Sequence, residues 1–186
     1  MYKCKYLCVC ISGDGGGSCG PDFSYQFLKQ LVLGEDSIKI ECFDTKPSNI
    51  DENVDKMCEL ITGCYQNYQK IYIVGWSLGT VIAVNVVHKL SVLDQPININ
   101  GLIMISPLKR CDKMVRQIYL PIGFIHGKID VIVPCENVYY LNNKTIVWTI
   151  IKIYDDCGHL FTGRGYDVAQ TILSMIDKID DPHKIV

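Results

Sequence analysis

The chain has 186 residues, of which 48% are hydrophobic and 20% are charged, and its formal net charge is -2. This length suffices for one domain with a sizeable core, and the weak net charge excludes the basic footprint of a nucleic-acid-binding protein. No apolar run approaches the roughly 18–20 residues that span a membrane, so we expect no integral membrane association.

Ten cysteines are a high number for a chain of this length. A secreted disulfide scaffold is one interpretation, but the apolar run at residues 6–11 is too short for a signal peptide and leads into a glycine-rich loop. Several cysteines fall inside predicted strands or helices, where a buried free thiol behaves as a small hydrophobe. No C-x-x-C pair occurs, which argues against a zinc site. We therefore expect free thiols in a reducing, cytoplasmic compartment.

Short apolar runs alternate with longer amphipathic stretches along the chain. The runs are continuous and rich in β-branched residues, which is typical of strands buried on both faces. Ser48-Asn49 and Pro134 are helix-start signals, and Gly34 is a helix-end signal. The predicted strands are residues 6–11, 38–43, 70–74, 101–105, 120–126 and 147–153, and the predicted helices are residues 22–33, 51–65, 78–90, 135–142 and 165–179.

The order of these elements is β-α-β-α-β-α-β-β-α-β-α. Strands that alternate with helices predict an α/β protein, a three-layer α/β/α sandwich around a mostly parallel sheet of about six strands. In such sheets ligands bind at the carboxyl ends of the strands. Candidate site residues are therefore sought in the loops that follow the strands.

The third predicted strand is followed by the motif G-x-S-x-G, formed by Gly75, Ser77 and Gly79 with Trp76 and Leu78 between them. Between a strand and a helix this motif predicts a nucleophile elbow, a sharp turn that presents Ser77 above the sheet. The glycines are needed because the strained turn brings its own backbone close together. A chance match or a purely structural turn is the alternative.

A serine hydroxyl needs a base, and His159 lies in the loop between the last strand and the last helix. His126 ends a strand near the same edge and is favoured as a packing residue. Asp130 follows the fifth strand and completes the order Ser, Asp, His, in which the acid orients the base. Its alternative role is a helix cap or turn, and Asp155 and Asp156 are rivals on the His159 loop.

An acyl-transfer enzyme also needs hydrogen-bond donors for the developing oxyanion. The N–H of Leu78, directly after the nucleophile, is one candidate. The glycine-rich loop after the first strand supplies the second, with Asp14 N–H preferred and Gly15 as runner-up. A phosphate-binding loop is the other interpretation, but the lysine of a P-loop and the dinucleotide-binding spacing are absent.

The motifs together resemble the α/β-hydrolase superfamily, and within it the small retinoblastoma-binding serine hydrolases. The residues that carry the likeness are GDGGG at 13–17, the elbow at Ser77, the Asp130 segment and DCGH at 156–159, whereas Trp76 stands where that family often has His. The resemblance implies a minimal α/β-hydrolase fold, a single domain over residues 1–186 without a separate lid domain, and a triad of Ser77, Asp130 and His159.

The resulting hypothesis is a serine hydrolase that cleaves a small carboxylic ester or thioester, with no metal or organic cofactor. A catalytically silent scaffold that binds a protein, and an acyltransferase, are the alternatives. The connection at residues 106–119 leaves little room for a lid and carries Lys109, Arg110, Lys113 and Arg116. An anion-binding role for this basic cluster is weighed against an ordinary solvated surface, which is favoured.

Overall fold

A parallel sheet lies at the centre of the computed structural model, which describes residues 5–13, 24–32, 37–45, 49–181 and 183. Within these residues the sheet has six strands in the spatial order β2-β1-β3-β4-β5-β6, and every neighbouring pair is parallel. The strands are β1 (Tyr6–Ile11), β2 (Ile38–Phe43), β3 (Lys70–Trp76), β4 (Gly101–Ile105), β5 (Ile122–Gly127) and β6 (Thr149–Tyr154).

Helices cover both faces of the sheet. They are α1 (Ser24–Leu31), α2 (Ile50–Cys64), α3 (Leu78–Ser91), α4 (Asp112–Val115), α5 (Glu136–Asn142) and α6 (Gly165–Asp180). Apolar side chains of α2, α3, α4 and α5 form the core on one face, and those of α1 and α6 form the core on the other. The predicted three-layer α/β/α sandwich is confirmed, and its sheet is parallel throughout.

Both helix-start signals come just before a helix. Asn49 caps α2, because its side-chain oxygen accepts the N–H of Glu52 at 3.1 Å. Pro134 lies in a turn before α5, in which its carbonyl accepts the N–H of Asn137 at 3.0 Å, and the helix itself begins at Glu136. Gly34 lies outside the described residues.

Three differences from the predicted elements have local causes. Strand β3 continues through Gly75 and Trp76, which stay paired with β4. Strand β5 begins only after Pro121, which has no N–H to donate to a ladder. The β4–β5 connection, predicted to hold no helix, contains a 3-10 turn at Lys109–Cys111 and then α4, whose four residues are too few to show a helical period.

The eight cysteines in the described residues are all free thiols, six of them buried. The prediction of free thiols is confirmed for these eight. Among the helices of the described part of the chain, none is long and apolar enough to cross a membrane.

Candidate active site

The turn between β3 and α3 has the geometry of a nucleophile elbow. Ser77 adopts a φ of 52° and a ψ of -115°, a backbone conformation that non-glycine residues rarely adopt. A Cβ atom on Gly75 would lie 2.5 Å from the carbonyl oxygen of Gly79, and one on Gly79 would lie 2.5 Å from that of Ser12. Both positions therefore require glycine, because the start of α3 is pressed against β3 and against the end of β1.

Hydrogen bonds on both sides hold Ser77 in this conformation. Its N–H donates to the carbonyl of Ile105, at the end of β4, at 2.8 Å. Its own carbonyl accepts the N–H of Thr80 at 3.0 Å and the Thr80 hydroxyl at 2.6 Å. The strained residue is thus fixed at the carboxyl edge of the sheet, between β4 and the first turn of α3.

His159 and Asp130 meet at the same edge of the sheet, as the sequence predicted. His159 Nδ1 lies 2.7 Å from Asp130 Oδ2. Two backbone bonds join the loops that carry them: Lys128 N–H donates to Tyr154 at 2.8 Å, and Ile129 N–H donates to Cys157 at 3.0 Å. A carboxylate only accepts, so the proton of the neutral His159 ring is on Nδ1 and a lone pair is free on Nε2.

The Asp130 carboxylate has a full set of donors although its side chain is completely buried. Its Oδ1 accepts the N–H groups of Ile132 at 2.9 Å and Val133 at 2.8 Å. Burial raises the pKa of Asp130, but the two N–H groups and the His159 ring outweigh burial and hold the pKa below its ordinary value. Asp130 is therefore ionised at neutral pH and can stabilise a charged imidazole ring.

The ring of Trp76 packs against the ring of His159, with centroids 5.3 Å apart and planes inclined by 33°. Since Trp76 directly precedes Ser77, this contact connects the His159 loop to the elbow. Within the described part of the chain, the Ser77 hydroxyl and the His159 ring form no hydrogen bond with each other. Such bonds are often long before substrate binds, so the arrangement is compatible with an elbow serine and its base.

The backbone of the elbow offers one of the expected oxyanion donors. Leu78 is the first residue of α3, where a helix leaves its N–H groups without intrahelical acceptors. The end of β1 lies next to the elbow, because a Cβ on Gly13 would be 3.3 Å from Ser77 Cβ. Asp14 and Gly15 follow Gly13 but lie outside the described residues, so the second donor stays a prediction.

The rival acids have other partners. Lys128 Nζ donates to Asp155 at 2.8 Å, and Arg164 donates to Asp156 at 2.6 Å. Both carboxylates are exposed.

Two of the four residues of the basic cluster also have partners nearby. The Lys109 ammonium lies 4.5 Å from the ring centroid of Tyr140, and Arg116 lies 3.7 Å from Asp112. Arg110 and Lys113 are exposed. These contacts favour the solvated-surface interpretation of the cluster.

His126 was favoured as a packing residue at the end of a strand, with a place at the edge of the site as the alternative. The His126 side chain is completely buried, and its Nε2 lies 3.3 Å from Asp130 Oδ2, the oxygen that His159 contacts. The spacing of four residues between His126 and Asp130 across a tight turn was the available signal. His126 is therefore packed in the interior, as favoured, and it also contacts the acid of the site.

A feature that was missed is an apolar rim around the site. Asp130 is flanked by exposed apolar side chains, and another follows His159. The members of the apolar rim are Ile129, Val131, Ile132 and Leu160, with exposed fractions of 60%, 95%, 66% and 57%. These side chains are neighbours in sequence of Asp130 and His159, and exposed apolar surface beside a site is a candidate for binding the apolar part of a ligand.

The described residues contain no group of three or more His, Cys, Asp or Glu side chains that could hold a metal ion. The groups present at the site are the hydroxyl of a serine in a strained turn, a histidine with a free Nε2 lone pair and a buried carboxylate. Such a set can transfer an acyl group from a substrate to the serine and onward to water.

Solved structures with the same fold include several esterases and lipases. Est1E from Butyrivibrio proteoclasticus has a TM-score of 0.78 at 13% identity, covering 95% of this chain and 89% of its own. The monoacylglycerol lipase of Paleococcus ferrophilus has a TM-score of 0.75 at 14% identity, covering 96% and 97%. A lipase-esterase related protein from Clostridium acetobutylicum has a TM-score of 0.71 at 14% identity, covering 92% and 95%. These similarities confirm the α/β-hydrolase fold.

No curated protein matches the chain. The model of the dienelactone hydrolase family matches residues 35–175, a range that includes Ser77, Asp130 and His159. The match covers well over half of the sequence, and the chain therefore belongs to the dienelactone hydrolase family.

Proposed function

We propose that this hydrolase-family protein cleaves a carboxylic ester or thioester through an acyl-enzyme formed on Ser77. The observation that carries the proposal is the placement of Ser77, in a strained turn at the N-terminus of α3, at the same sheet edge as the paired His159 and Asp130. Residues held in such strained backbone conformations cluster at active sites, which supports a reacting role for Ser77.

The proposed mechanism follows from the protonation states. His159 Nε2 takes the proton of the Ser77 hydroxyl while its oxygen attacks the substrate carbonyl. The oxyanion is stabilised by the N–H of Leu78, by a second N–H that we assign to Asp14, and by the N-terminus of α3. His159 then returns the proton to the leaving alcohol or thiol, and a water molecule releases the acyl group by the same steps.

Asp130 has two tasks in this mechanism. It keeps the ring proton on Nδ1, and it stabilises the positive charge that His159 gains in the transition state. Ionisation at neutral pH is required for both, and the donors around its carboxylate favour that state. The side chain is also shielded from solvent, so its field on the imidazole is weakly screened.

The apolar rim supports an ester with an apolar acyl or alkyl chain as the substrate. Transfer of such a chain from water onto this surface is favourable by about 25 cal/mol per Å² of apolar area removed from water. We further propose that the chain is one domain without a lid domain, since only the 3-10 turn and α4 occupy the β4–β5 connection. Membership in the narrower retinoblastoma-binding serine hydrolase group stays a prediction.

We also propose a reducing, cytoplasmic compartment for the protein. The observation that supports it is the set of eight free cysteines in the described residues, most of them buried in the core. Thiols of this number persist where glutathione and thioredoxin keep them reduced.

The test is hydrolysis of p-nitrophenyl esters and acyl thioesters by the wild type and by Ser77→Ala, His159→Ala and Ser91→Ala. Ser91 is an exposed serine at the far end of α3, so its variant is the matched control and should retain full activity. The first two variants should lose turnover. Unchanged turnover in Ser77→Ala would contradict the mechanism, and product transfer to added alcohols in preference to water would identify an acyltransferase.

A further inference from the structure

His126 is a buried neighbour of Asp130 whose tautomer is fixed by its surroundings. Its Nε2 lies 2.9 Å from the carbonyl oxygen of Val133, and a carbonyl oxygen can only accept a hydrogen bond. The ring proton is therefore on Nε2. The same nitrogen is 3.3 Å from Asp130 Oδ2, so the donor nitrogen lies directly beside the carboxylate.

The other ring nitrogen of His126 is unusual. His126 Nδ1 is buried and has no hydrogen-bond partner among the described residues, and the same is true of Ser106 Oγ. A buried polar atom without a partner costs about 1–3 kcal/mol, so two of them close together call for a physical reason.

These two atoms belong to neighbouring residues of the sheet. Strands β4 and β5 pair in register as far as Ile105 and Ile125, so Ser106 and His126 are the next residue on each strand. The N–H of Ser106 donates to the carbonyl of Ile125 at 2.9 Å, which fixes this alignment. Ser106 also has a φ of 45°, a strained conformation for a residue that is not glycine.

We propose that one buried water bridges Ser106 Oγ and His126 Nδ1, completing a polar chain that runs from Ser106 through His126 and Asp130 to His159. The water donates one hydrogen bond to the lone pair of Nδ1 and forms a second hydrogen bond with the Ser106 hydroxyl. Buried waters typically satisfy polar groups that protein atoms leave unpaired. Ser106 and His126 are then positioning residues, which act on His159 through Asp130.

The polar chain has a consequence for the reaction, and this part of the inference rests on the proposed function. With Nδ1 accepting from the water and Nε2 donating to Val133, the His126 ring cannot rotate without breaking bonds at both ends. The fixed ring lies against Asp130 Oδ2 and keeps that oxygen in the direction of His159. The titratable groups that face His126 are Asp130 and His159.

The first test is the tautomer of His126, measured by long-range proton–nitrogen NMR on the full chain, with His88 as internal reference. We expect a neutral ring protonated on Nε2 between about pH 6 and 8, and an Nδ1 chemical shift typical of an accepting nitrogen. The Ser106→Gly variant, which tolerates the positive φ, should move that shift toward the value of a free lone pair. A ring protonated on Nδ1, or an unchanged shift in Ser106→Gly, would overturn the proposal.

The second test is the rate of labelling by a fluorophosphonate in His126→Leu and His126→Gln. The amide nitrogen of Gln reaches about as far as imidazole Nε2 and keeps the donor, whereas Leu removes it. We expect a loss on the order of 10- to 100-fold for Leu, as for other partners that orient a site residue, and recovery of most of the rate by Gln. His88→Leu, on the outer part of α3, is the control and should label as the wild type does.

Equal slowing of folded His126→Leu and His126→Gln proteins would show that His126 only fills space, and would overturn the positioning role. The two tests separate this inference from the proposed function. A wild type that is never labelled contradicts the proposed function, while the NMR result still decides on the polar chain. If His126→Leu does not fold, the chemical shift in Ser106→Gly decides the matter without it.

Discussion

Replacing Asp130 by Asn tests the site by changing a single atom. Oδ1 accepts the N–H groups of Ile132 and Val133, and an amide oxygen can accept the same two bonds. The amide NH₂ then takes the place of Oδ2, 2.7 Å from His159 Nδ1, and because it donates, Nδ1 has to accept. The ring proton moves to Nε2, the atom that should receive the proton of Ser77.

The expected loss in kcat/KM for a p-nitrophenyl ester is about 10³- to 10⁴-fold, or about 4–5.5 kcal/mol of transition-state stabilisation. The fold should survive, because the change removes one charge-assisted hydrogen bond, worth about 1.5–3 kcal/mol. Asp155→Asn is the matched control, since Asp155 is 81% exposed and forms an ion pair with Lys128, and it should change the rate by less than about twofold. A folded Asp130→Asn protein that retains a tenth of the wild-type rate would contradict the role of Asp130 in orienting His159.

Three further predictions concern stability and specificity. Gly79→Ala should lower the free energy of unfolding by more than about 3 kcal/mol, because its Cβ would overlap the carbonyl oxygens of Ile11 and Ser12. Gly63→Ala in α2, whose Cβ would meet nothing within 4 Å, should be neutral or stabilising in the same urea titration. Folding lowers the pKa of Asp130. The carboxylate therefore stabilises the fold at a pH above 3.8, its ordinary pKa, and this stabilisation is lost as the pH falls through the lower pKa of the folded state. The difference in unfolding free energy between wild type and Asp130→Asn should therefore shrink between pH 7 and pH 3, and a constant difference would contradict the assignment. Ile132→Ser should reduce kcat/KM several-fold more for an octanoate ester than for an acetate ester. Val92 is equally exposed, at 66%, but lies at the far end of α3, so Val92→Ser should leave the ratio of the two kcat/KM values unchanged.

Much of the fold could be predicted because the strands are continuous apolar runs. Strands β1, β2 and β4 have the predicted bounds, since each is flanked by residues that interrupt the run. The errors arose where local pattern is weak. Helix α4 is a single turn, and β3 extends into the elbow because pairing with β4 continues through Gly75 and Trp76.

The sequence predicted only those parts of the site that depend on motifs and on the order of the strands. The loops of Asp130 and His159 had to meet because their parallel strands are neighbours and end at the same edge. The contact between Trp76 and His159 joins residues far apart in sequence and depends on side-chain packing, which no local pattern encodes. The same holds for the two buried polar atoms of Ser106 and His126, which become notable only when their surroundings are known.

The most direct test of the central claim is mass spectrometry of the protein after reaction with a fluorophosphonate. We expect one adduct per chain on the peptide that contains Ser77, no adduct in Ser77→Ala, and a strongly reduced labelling rate in His159→Ala. An unlabelled but folded wild type, or an adduct that persists in Ser77→Ala, would contradict the assignment of Ser77 as the nucleophile.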